Sequence, residues 1–90
     1  SMEEDRTPLV TAIPPFALKP DTEPGWYVYH DRSGDTGLIE LVRPLDPLLA
    51  RFPGCDEEFY AESLVGLFEG PLTKPQMTAA LDAVERLQNR

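Results

Sequence analysis

The stretch "GWYVYHDRSGDTGLIELV", residues 25–42, decides how this chain is read. Two runs rich in aromatic and β-branched residues flank a cluster of turn formers, which is the signature of a β-hairpin. With residues 32–35 as a four-residue loop, Val28 falls opposite Ile39 and Trp26 opposite Leu41, so four large apolar side chains share one face and form a core wall. The other face then carries Tyr27, Tyr29, Leu38, Glu40 and Val42. A one-residue shift would pair Tyr29 with Ile39 and Tyr27 with Leu41 and exchange the two faces, because strand side chains alternate with period two.

Upstream, "PLVTAIPPFALKPDTEP" (residues 8–24) offers a third, N-terminal strand at residues 9–13, after which Pro14 and Pro15 withhold the donors that a ladder needs. Residues 14–24 read as extended chain whose Phe16 and Leu18 tuck against the body or dock on a partner. Residues 1–7 read as a disordered tail, with Ser1 a remnant of tag removal and Met2 the native start.

Downstream, the signals are helical. Asp46 followed by Pro47 matches an N-cap with proline in the first turn, and Pro53-Gly54 closes a two-turn segment. Asp56 then caps a longer helix with Tyr60, Leu64, Leu67 and Phe68 at 3.6-residue spacing, ended by Gly70-Pro71. Gly66 inside it implies close packing. Thr73 and Gln76 form a capping box ahead of a last helix with an apolar stripe of Met77, Ala80, Leu81, Val84 and Leu87, and an exposed Asp82–Arg86 pair. The expected architecture is α+β: a small antiparallel sheet of the hairpin and an optional N-terminal strand, packed against two or three C-terminal helices, with residues 25–90 as one domain.

Sixteen acidic residues against eight basic ones, a formal charge of −8, repel phosphate backbones and anionic headgroups, which argues against direct nucleic-acid or membrane-surface binding. No run approaches the about 18 apolar residues of a membrane span, and "SMEEDR" has no apolar stretch behind it to make a signal peptide. Cys55 is the only cysteine, so no disulfide forms within the chain and a reducing, cytoplasmic setting is expected.

Several short patterns carry catalytic chemistry elsewhere. Asp35-Thr36-Gly37 resembles the catalytic tripeptide of aspartic proteases, which would imply a paired carboxylate dyad sharing a proton. In that family the tripeptide follows a buried apolar strand; here it follows Arg32-Ser33-Gly34, where turn geometry calls for glycine anyway. His30, Asp31 and Ser33 contain the residue types of a triad, but neighbours on a strand diverge. Cys55 precedes an acidic run, Asp56 to Glu58, that disfavours a thiolate. One histidine and one cysteine do not make a structural zinc site, and "SGDTG" lacks the lysine and spacing of a phosphate loop, so no metal and no cofactor are expected.

Surface chemistry remains. Tyr27 and Tyr29, with Leu38, Glu40 and Phe16, are the candidate partner-binding residues, since tyrosines supply rigid contact area at low entropic cost and an edge strand accepts a peptide. The segment "LVGLFEGPLTKPQMTAAL", residues 64–81, together with the hairpin, resembles the leader-peptide recognition domains of peptide-modifying pathways, a resemblance that implies a helix-turn-helix joint and capture of a peptide along the sheet edge. The reading from sequence is thus a small non-enzymatic interaction module, an adaptor, accessory subunit or regulator that binds a protein or peptide. Two alternatives are an acidic inhibitor (an immunity protein, antitoxin or nucleic-acid mimic) covering a basic site, and a small hydrolase using Asp35.

Overall fold

A computed structural model of the chain, which describes residues 7–89, shows a five-stranded antiparallel sheet and one long C-terminal helix. The strands are β1 (Gly25–Asp31), β2 (Thr36–Val42), β3 (Leu49–Arg51), β4 (Glu58–Tyr60) and β5 (Gly66–Glu69); the helix is α1 (Lys74–Gln88). Their spatial order is β4-β3-β2-β1-β5. The fold is α+β as expected, but the sheet is larger and two of the three expected helices are absent among the described residues. The tail at residues 1–6 lies outside those residues.

The hairpin forms at the centre of the sheet, in neither of the two anticipated registers. Tyr27 pairs with Ile39, Val28 with Leu38 and Trp26 with Glu40. Gly34 is the cause. It adopts φ +99°, closes a turn by donating to the Asp31 carbonyl at 3.0 Å, and lets Asp31 N–H reach the Asp35 carbonyl at 2.8 Å. The loop is therefore three residues, a turn followed by a left-handed glycine, rather than four. Tyr27, Tyr29, Ile39 and Leu41 end on one face; Trp26, Val28, Leu38 and Glu40 end on the other.

The segments read as helices are strands for a shared reason. Ala50 alternates with Leu49 and Arg51, and Leu41 and Val42 of β2 pair with Ala50 and Leu49, so tertiary ladder bonds use this segment where a two-turn helix would be marginal. In β5, Tyr29 opposes Phe68 and His30 opposes Leu67, burying both apolar residues on opposite faces of the sheet. Gly66 does sit at a close approach: a Cβ there would lie 2.4 Å from the His30 carbonyl and 2.8 Å from the Tyr29 ring. The approach is strand to strand, not within a helix. The helix-turn-helix joint implied across residues 64–81 is consequently missing, its first half being β5.

Residues 9–13 form no ladder strand. The arm instead joins the sheet one step later, where Phe16 bridges Phe68 through two backbone hydrogen bonds of 2.8 and 2.7 Å. One core cluster lies on the tyrosine face, with Tyr27, Ile39, Leu41, Ala50 and Phe68 covered by Phe16, Leu18, Phe52 and Leu64. The second lies on the helix face, where Ala80 and Val84 of α1 meet Val28 and Leu38, flanked by Trp26, Met77 and Leu72. The capping box starts α1 as read from sequence, with Gln76 N–H donating to Thr73 Oγ1 at 3.3 Å and Thr73 N–H to Gln76 Oε1 at 2.9 Å. Asp82 and Arg86 pair at 2.8 Å.

Candidate functional site

The five residues singled out from sequence divide between the two faces of the sheet, Phe16, Tyr27 and Tyr29 on one and Leu38 and Glu40 on the other. Tyr27 is fully buried, with its ring edge-on to Phe16 and Phe68 and its hydroxyl donating to the Glu23 carbonyl at 2.6 Å; burial, aided by the Glu23 charge, pushes its pKa up to about 12. Tyr29 packs against Phe52 and Phe68, and its hydroxyl donates to the Val65 carbonyl at 2.8 Å. Phe16 is half-buried on the same side. Leu38 and Glu40 point to the opposite side, Leu38 buried under α1. The hairpin has no free edge either, since β3 pairs with β2 and β5 with β1.

The catalytic patterns also come apart. Asp35 is exposed at the hairpin tip, with Ser33 Oγ donating to its carboxylate at 3.4 Å. His30 turns away from Asp31, as strand alternation requires, and pairs with a residue distant in sequence: its Nε2 lies 2.9 Å from Glu69 Oε1. His30 and Glu69 are both buried, at 4% and 1% exposure. Cys55 is exposed. No group of three metal-ligating side chains occurs among the described residues.

Glu69 is the polar residue that sequence reasoning missed. Its Oε1 accepts from Leu9 N–H at 2.8 Å, and its Oε2 accepts from Val10 and Thr11 N–H at 2.8 and 2.7 Å. Burial by itself would raise its pKa, but these three backbone donors and His30 outweigh it and hold the carboxyl below the ordinary carboxylate range. Three backbone N–H groups point at the carboxylate, and His30 Nε2 adds a fourth donor when it carries the proton. The ionised form is therefore matched. Through these bonds Glu69 fastens the N-terminal arm, whose Leu9 and Val10 pack with Trp26 and Val28. Only an acid at the end of "GLFE", a run otherwise apolar, hinted at it.

The open site lies beside α1. A cleft of about 410 Å³ at the hairpin end is lined by Leu38, Phe52, Pro53, Leu81 and Val84, with Glu85 and Gln88 along its helical side. Leu81 belongs to the apolar stripe of the helix, yet it is 52% exposed, because α1 lies over β2 and β1 and turns only Ala80 and Val84 fully inward. The helix-side cluster includes nothing from β3 or β4. On that part of the face, register aligns Glu40, Arg51 and Glu58 in a row across three strands and sets Tyr60, 59% exposed, beside Leu49. The outer strand β4 is a poor template for a partner strand: it has three residues, and Ser63 Oγ donates to the Tyr60 carbonyl at 2.7 Å.

Comparison with protein-family models, with curated proteins and with solved structures found no match to this chain. Among the described residues, no helix is long and apolar enough to cross a membrane.

Proposed function

We propose that this chain is a non-enzymatic interaction module of the cytoplasm that binds another protein or a peptide, using the helix-side face rather than the hairpin edge. One observation carries the reading: the apolar cleft between α1 and the β2–β3 end, with Leu81 half-exposed in its wall, adjoins a sheet surface that no helix covers. Concave apolar surface with a few polar groups at its rim is where peptide side chains are taken up. The formal charge of −8 supports a protein partner over nucleic acid or an anionic membrane, and an unpaired, exposed Cys55 suits a reducing compartment.

The test is retention of proteins from a native extract by the immobilised chain and by its Leu81→Ser and Tyr60→Ala variants, at low and high salt. Both side chains are more than half exposed, so each variant should keep its melting behaviour. A partner held by the wild type and lost by Leu81→Ser is the expected result. A partner retained by both variants and released only by salt would favour the acidic-inhibitor reading instead. Turnover that disappears in Asp35→Asn would favour the hydrolase.

A further inference from the structure

We infer that the occupant of the α1–β2–β3 cleft is a basic peptide segment, one that presents bulky apolar residues with lysine or arginine beside them. The inference rests on the interaction reading above and adds the chemistry of the partner. The floor of the cleft selects apolar anchors: Leu38, Phe52, Pro53, Leu81 and Val84 offer no polar side chain. Its surroundings select the charge. Glu85 lines the cleft, and Glu40, Arg51 and Glu58 face the same side in one row across β2, β3 and β4.

That row holds one guanidinium between two carboxylates, and Arg51 Nε donates to Glu58. Glu40 and Glu85 have no ion-pair partner among the described residues. Asp82, the residue after Leu81, is already matched by Arg86. One carboxylate, Glu85, thus lines the apolar cleft, and a second, Glu40, stands two residues along β2 from the lining Leu38 on the same face, on a chain whose net charge has the same sign. A cation placed there by a partner would meet the Glu85 carboxylate in the lining, and an anionic segment would meet repulsion. Arginine fits best, because its stem covers apolar surface while its head reaches a carboxylate.

The experiment pans a random peptide library on the intact chain, then maps the enriched synthetic peptide by amide chemical shifts. Affinity is measured at about 50 and 500 mM salt, for the wild type and for the double variant Glu40→Gln, Glu85→Gln. Enriched peptides should combine bulky apolar residues with Lys or Arg, perturb Leu38, Leu81 and Glu85, and lose about tenfold in affinity both at high salt and in the double variant. Neutral or acidic peptides that map to the same cleft would overturn the inference and leave the interaction reading standing. Peptides that map elsewhere, or none enriched at all, would overturn both.

Discussion

Glu69 shows how much one buried side chain decides. Its carboxylate accepts from three backbone N–H groups at residues 9–11 and lies against His30 Nε2. Replacing it by glutamine removes the charge and turns an amide N–H group toward groups that also donate. Glu69→Gln should cost about 3–5 kcal/mol at neutral pH, a large part of the stability of so small a domain. Its pKa is depressed by folding, so the stabilisation is present above the unfolded carboxyl pKa and is lost as pH falls through the lower, folded value. Urea titrations between pH 7 and pH 2 should show the wild type losing stability on the acid side while the variant changes far less. Parallel pH profiles for the two proteins would show that this carboxylate is not what the arm depends on. Beyond an acid closing the otherwise apolar "GLFE", the sequence does not mark Glu69 for this, because the backbone donors lie about 60 residues away and a partner at that separation leaves no local pattern.

At the scale of elements, the contest was between helical periodicity and ladder pairing. The hairpin was legible because its signal is local: turn formers between two β-branched and aromatic runs. The last helix was legible for the same reason, through its capping box and stripe. The strands β3, β4 and β5 were not, since each has only three or four residues and owes its conformation to a neighbour across the sheet. Gly66 makes this testable. The neighbouring strand's carbonyl and the Tyr29 ring leave no room for a methyl group there. Gly66→Ala, which would stabilise a helix, should instead destabilise this fold by about 1–3 kcal/mol in chemical denaturation. A stabilised variant would restore the helical reading of that segment.

At the scale of the whole molecule, the sheet is covered unequally. The tyrosine face is closed by Phe16, Leu18, Phe52 and Leu64; the helix face is closed by α1 and the arm over β1 and β2 and left open over β3 and β4. The arm is thus structural, and removing residues 1–13 should lower the melting temperature by about 10 °C or more and shift Trp26 fluorescence to the red. A shortened chain that melts like the full one would show the arm to be dispensable. The same imbalance creates the cleft, whose walls come from residues 37–38, 52–53 and 81–88, segments far apart in the chain. The sequence by itself determined the central hairpin, the capped last helix and the acidic charge balance, all of which depend on composition or on neighbours a few residues apart. Only the tertiary structure decided the three short strands, the Glu69 anchor and the open face, since each arises where distant segments compete for the same backbone donors and the same apolar surface.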